Sequence, residues 1–212
     1  MGKINRVLIL AHPEMDHLAY MMYNGLYKIL GKDNVAVYPY VRHYQGGIDD
    51  WYTLDDGKRG YTSPTGYIGK HETNERSFDD LVNNIRSFDI IYVSSGRTYA
   101  IRSLEQFVAR CGIGNLPPIV MSEGEDHQHL NTLSSAKHRF GIRVCFKREL
   151  TPNELNNAGN LQPIYPLPFS AIMDNTVPDN PNKDIDVFAL FGNTWPMREE
   201  IVKVINSSYL RE

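Results

Sequence analysis

Cysteine is scarce: the 212 residues hold two, Cys111 and Cys145. A disulfide framework needs more of them in a smaller chain, so both read as reduced thiols of a cytoplasmic protein. A surplus of positive charge is also missing. Lysine and arginine number 22 against 25 acidic residues, a formal net charge of −3. With no block of basic residues either, the electrostatic footprint of a nucleic-acid partner is absent. The apolar segment Val7 to Ala11 is too short for a signal h-region or a membrane span. Gly2 lacks the Ser or Thr that a myristoylation signal places after it, so no membrane partner is expected. Nor is there a glycine-rich phosphate loop. No dinucleotide fingerprint follows a strand, and no P-loop ending in Gly-Lys-Ser/Thr occurs. This argues against NAD(P), FAD and P-loop nucleotide chemistry.

What is present is the material of an ordered core. Hydrophobic residues make up 42% and aromatics 11%, well above the range of disordered chains. The length suits one large domain, or one and a half ordinary ones.

Arg6–Ala11 (RVLILA) is a continuous apolar run, as in a strand buried on both faces. Leu18, Met21, Met22, Leu26, Ile29 and Leu30 then recur at helical spacing, and Gly31 ends that helix. Val35–Tyr38 is a second strand. Strand, helix, strand is the unit that forces parallel pairing. Residues 39–76, rich in glycine and tyrosine, show no sustained period and read as a long ordered insertion. Beyond it, helices are expected at 78–88, 99–110 and 130–140. Strands are expected at 89–94, 118–122 and 141–146. A short helical turn at 151–155 has Pro152 at its first position. Residues 164–169 are extended, because Pro166 and Pro168 keep their predecessors out of the helical region. Residues 173–184 form a polar, proline-containing linker, and a strand and a helix follow within 185–212. The alternation predicts an α/β fold: a doubly wound, mostly parallel, Rossmann-like sheet.

Ligands of such sheets bind outside the carboxyl ends of the strands, so the segments after strands carry the candidates. His12-Pro13-Glu14-Met15-Asp16 follows the first strand. His12 or Asp16 suits a general base; equally, Asp16 suits a helix cap and His12 a polar turn. Ser95, Gly96 and Arg97 follow the third main strand as a tight turn or an anion-holding helix start. Glu123, Glu125, Asp126 and His127 come after the next strand. Their spacing fits no strong zinc pattern, and hydrogen bonding in a cleft suits them better. Lys147, Arg148 and Glu149 follow the fifth strand. Charges at the end of a buried strand must reach solvent, a partner or a ligand. Lys147 or Arg148 is expected to pair with Glu125 or Asp126.

A series of segments carries a family resemblance. Gly124-Glu125-Asp126, Cys145-Phe146-Lys147-Arg148-Glu149-Leu150 and Tyr165-Pro166-Leu167-Pro168-Phe169 come in that order. Asp184-Ile185-Asp186-Val187-Phe188, Phe191-Gly192-Asn193-Thr194 and Arg198 follow. Over about residues 85–200 the chain resembles glycosyltransferase-like proteins related to the spore maturation protein CgeB, which look like two-domain GT-B enzymes. The resemblance implies a Rossmann-like acceptor-side domain over residues 1–172, a linker at 173–184, and the start of a donor domain at 185–212. It implies a nucleotide sugar as co-substrate, no bound cofactor or metal, and a small-molecule or glycan acceptor. His12, Asp16 or Asp126 would be the base. Most donor-binding residues have no counterpart here, which leaves two readings: a missing C-terminal donor domain is the partner, or the chain is a short version whose final strand and helix complete its single sheet. In either case it is incomplete as a catalyst on its own. Ala11-His12-Pro13-Glu14 with Asp16 also resembles the start of N-acetylglucosaminyl-type zinc deacetylases. That alternative would make His12 and Asp16 or Glu14 ligands, with His127 or His129. A non-catalytic α/β binding module is the third reading.

Overall fold

The computed structural model describes residues 3–12, 17–41, 76–124, 130–148, 150–161 and 163–167. The chain divides into two compact units, Met1–Thr176 and Val177–Glu212, and every described residue belongs to the first.

Six strands make one sheet: β1 (Val7–Leu10), β2 (Val35–Tyr38), β3 (Ile90–Val93), β4 (Ile119–Glu123), β5 (Val144–Lys147) and β6 (Ile164–Pro166). Their order is β2-β1-β3-β4-β5-β6, and all five pairings are parallel. The helices are α1 (His17–Leu30), α2 (Phe78–Asn83), α3 (Thr98–Cys111), α4 (Asn131–Phe140) and α5 (Pro152–Asn156).

Alternation along the strands sends neighbouring side chains to opposite faces. Val7 and Ile9 of β1 join Val35, Val37 and Tyr92 in a cluster with Ala19, Tyr20 and Tyr23 of α1. Leu8 and Leu10 join Ile91, Val93, Ile119, Met121 and Cys145 in a second cluster. That cluster takes Leu81 of α2, Ala100, Leu104 and Phe107 of α3, and Leu133, Ala136 and Phe140 of α4. Helices therefore cover both faces, as expected. β1 and β3 carry helices on each side, which explains their unbroken apolar runs, Val-Leu-Ile-Leu and Ile-Ile-Tyr-Val. Cys145 belongs to this packing, and burial pushes its thiol pKa up, away from reactivity.

Local signals explain the helix limits. Gly31 closes α1 at φ +83° and Gly141 closes α4 at φ +64°, conformations open to glycine at little steric cost. Ser77 caps α2 by accepting from the Asp80 amide. Thr151 and Glu154 form a reciprocal capping box on α5, with Pro152 in its first turn. One expectation needs correction. The helix expected over 78–88 ends at Asn83, and Ile85–Ser87 is a separate 3-10 turn. The Asn84 amide donates to the Asp80 carbonyl and the Ser87 hydroxyl to the Asn84 carbonyl. Such local side-chain bonds compete with the helical ladder. Among the described residues, no helix is long and apolar enough to cross a membrane. The expected linker at 173–184, the strand and helix after it, and residues 42–75 of the insertion lie outside the described residues.

Candidate functional site

The chain leaves β1 to form β2 on one side, then returns to build β3 on the other. This reversal opens a crevice beyond the carboxyl ends of β1 and β3, the usual ligand position in open parallel sheets. His12 follows β1 there. Ser94, Ser95, Gly96 and Arg97 follow β3.

Buried polarity gathers along this edge. Among the described residues, the buried polar or charged ones are His12, Asn24, Ser94, Ser95, Ser103, Ser122, Glu123 and Lys147. All but Asn24 and Ser103 sit at or just beyond the carboxyl ends of strands. Polar groups are expensive to bury without partners, so each needs an account.

His12 is 4% exposed. Its imidazole meets the Tyr99 ring edge-to-face, with centroids 5.3 Å apart and planes at 78°. Tyr99 lies in the first turn of α3 and is 51% exposed. The Arg102 guanidinium stands 6.0 Å from the same ring. Residues 99 and 102 are neighbours on a helix surface, so one helical turn supplies both. The Ser95 hydroxyl accepts from the Arg97 amide at 3.0 Å, which folds the loop back on itself. On β3, the Tyr92 hydroxyl and Ser122 hydroxyl lie 2.6 Å apart, and Ser122 donates to the Ser94 carbonyl at 2.8 Å. The Ser94 hydroxyl is buried without a hydrogen-bond partner among the described residues.

At β4 and β5, Glu123 stands directly opposite Lys147 in the parallel register. The ammonium lies 2.7 Å from the Glu123 carboxylate, with the two side chains 1% and 0% exposed. Two charges withdrawn from water hold together because each neutralises the other in a medium that screens poorly. The Arg148 amide donates to the Glu123 carbonyl at 3.1 Å. Gly96 ties this pair to the crevice. A Cβ on Gly96 would fall 2.6 Å from Thr132 Cγ2 and 3.2 Å from Glu123 Cγ. The loop can thus lie against both only without a side chain.

The structure places His12, Ser95, Gly96, Arg97, Glu123, Lys147 and Arg148 along the carboxyl edge. Asp16, Glu125, Asp126, His127 and Glu149 lie outside the described residues. So do Glu14 and His129, the remaining residues of the deacetylase alternative. One detail differs from expectation: Glu123 and Lys147 are the last residues of their strands rather than the first of their loops. Lys147 pairs with Glu123, because parallel register sets them face to face; the expected pairing of Lys147 or Arg148 with Glu125 or Asp126 falls on acids outside the described residues. Sequence pattern places Ser94 and Tyr99 in the segment after β3 without assigning them a role, and does not single out Arg102, Tyr92 or Ser122. The available signal was weak: a Tyr and an Arg three apart in the helix that follows the β3 turn.

No protein-family model, curated protein or solved structure matches the chain.

Proposed function

We propose that this chain is the acceptor-side domain of a GT-B-type glycosyltransferase related to the spore maturation protein CgeB. Its acceptor, a small molecule or glycan, binds in the crevice beyond β1 and β3. The observation that carries this reading is a buried imidazole beside an exposed aromatic ring at the switch point: His12 against Tyr99. A half-exposed tyrosine offers an apolar ring to a sugar and a hydroxyl to its polar rim. His12 acts as base. It takes the proton of the acceptor hydroxyl as that oxygen attacks the anomeric carbon and the nucleoside diphosphate leaves. Asp16 and Asp126 are the other candidates for this role. The nucleotide sugar is held by a donor domain, whose start the sequence of residues 185–212 resembles. The cytoplasm is the compartment for this protein, where nucleotide sugars are at hand and Cys111 and Cys145 stay reduced.

Saccharide acceptors, titrated calorimetrically into the wild type and His12→Gln, test the acceptor side. A panel of nucleotide sugars, assayed for nucleoside diphosphate release with and without acceptor, tests transfer. The expected result is acceptor binding by this chain that survives His12→Gln, and turnover of an enzyme that also carries the donor domain falling in the same variant by about 10²–10⁴-fold, the usual worth of a positioned base. An absence of both binding and release overturns the reading. Stoichiometric zinc in the purified protein would replace it with the deacetylase.

A further inference from the structure

A cleft of about 520 Å³ opens between α3 and α4, with Gly96 of the loop after β3 in its lining. Its floor is apolar, formed by Ile101, Ala136 and Phe140. Its walls carry the hydroxyls of Thr98, Thr132 and Ser135, the Asn131 amide, and two guanidiniums, Arg102 and Arg139. Glu105 is the one carboxylate in the lining, and it is engaged by Arg139. Arg102 is exposed and contacts the Tyr99 ring. No carboxylate among the described residues lies within ion-pair distance of it. The lining therefore keeps a positive charge in a chain whose formal net charge is −3.

We propose that this cleft binds a phosphate-bearing small molecule. Guanidinium groups match phosphate oxygens with paired N–H donors. Three hydroxyls and a primary amide supply the further donors that a phosphate with several oxygens can accept from. The apolar floor takes the body of the molecule, which gives an ester more contact than inorganic phosphate has. Arg102 is the principal anchor, since its charge is not spent on a carboxylate. The cleft adjoins the His12 crevice, since Gly96 is in its lining and Arg102 stands against Tyr99, the ring that meets His12; ligand binding here requires no transferase activity.

The test is calorimetric titration with glucose 6-phosphate, glucose and inorganic phosphate. Amide chemical shifts of Thr98, Arg102, Asn131 and Thr132 are followed by NMR in parallel. The proteins are the wild type, Arg102→Gln, Arg139→Gln and Lys28→Gln. Lys28 is an exposed cation in the last turn of α1, far along the chain from the cleft, and controls for non-specific charge. The expected order of affinity is glucose 6-phosphate, then phosphate, then glucose, with shifts centred on the cleft amides. Arg102→Gln weakens the ester at least tenfold, Arg139→Gln less, and Lys28→Gln not at all. The proposal is overturned if the ester does not bind, if glucose binds equally well, or if Lys28→Gln and Arg102→Gln lose affinity alike. It also falls if the shifted amides lie elsewhere. Unchanged thermal unfolding of the Arg102 variant separates lost binding from lost fold.

Discussion

At the amino edge of the sheet, polar groups stay exposed and bond to their near neighbours in space. The Asp89 carboxylate, ahead of β3, accepts the Asn5 and Arg6 amides at 2.7 and 2.9 Å. The Asp89 amide returns a bond to the Arg6 carbonyl, and the Arg6 guanidinium covers Phe88. At the carboxyl edge the polar groups are buried instead, and they run from His12 through Ser94, Ser95 and Ser122 to Glu123 and Lys147. The first arrangement is a clasp that water could largely replace. The second has no such substitute, because each group there has given up its hydration. A chain that needed only stability could fill those positions with apolar residues. Their presence at the edge where such sheets bind ligands is the physical argument for a site.

The comparison breaks most visibly at the buried pair. Lys147→Met leaves the Glu123 carboxylate buried without that cation, and should cost about 3–5 kcal/mol of unfolding free energy. Glu123→Leu combined with Lys147→Met should recover most of the loss, as measured by denaturant unfolding. A single-variant loss under about 1 kcal/mol would mark the pair as no stronger than a surface one.

Gly96→Ala comes next. Its methyl would press on the Thr132 side chain and on Glu123, a crowding expected to cost about 1–3 kcal/mol. Thr132→Ser removes the closer of the two atoms and should restore most of the stability. If the double variant unfolds like the single one, the Thr132 contact is not the cause.

Tyr92→Phe deletes one bond and leaves Ser122 its bond to the Ser94 carbonyl. A loss of about 0.5–1.5 kcal/mol is expected by the same unfolding measurement. A neutral outcome would place this network with the solvated clasp rather than with the buried edge.

Asp89→Asn should have the smallest effect, visible only in its pH dependence. The Asn5 and Arg6 amides hold the Asp89 carboxyl below the usual carboxylate range. A group whose pKa is depressed by folding contributes stability above its unfolded value, and loses it as pH falls through the folded one. The wild type should therefore weaken on acidification through that window. The variant should show a shallower acid limb in thermal unfolding scans run from neutral to acidic pH. Superimposable acid limbs would show that this clasp carries no linkage.

Much of the fold was legible because strand and helix periods are local. The observed β2 coincides with the expected 35–38, and α1, α3 and α4 lie within one residue of expectation at each end. Pro152 and Gly31 acted as the punctuation they resemble. The 78–88 helix was misjudged because Asn84 and Ser87 satisfy backbone groups with side-chain bonds, which apolar spacing does not register. At the site, His12, Ser95, Gly96, Arg97, Glu123, Lys147 and Arg148 were identified simply as residues near strand ends. Their partners were not. Lys147 meets Glu123 through register between two strands, across 24 residues of chain, whereas Glu125 and Asp126, its expected partners, lie outside the described residues.

By itself the sequence determined an α/β chain with parallel strands. Buried apolar runs separated by amphipathic helices permit little else, and the polar residues had to fall at strand ends, where the runs stop. Tertiary structure decided what those residues became. Strand order created the crevice between β1 and β3. Register brought Glu123 and Lys147 within 2.7 Å of each other. The packing of α3 set Tyr99 on His12 and left Arg102 beside a cleft shared with α4. The division follows from the range of the forces. Hydrophobic periodicity is written in neighbouring residues, whereas pairing, burial and charge balance depend on segments that meet only once the sheet has formed.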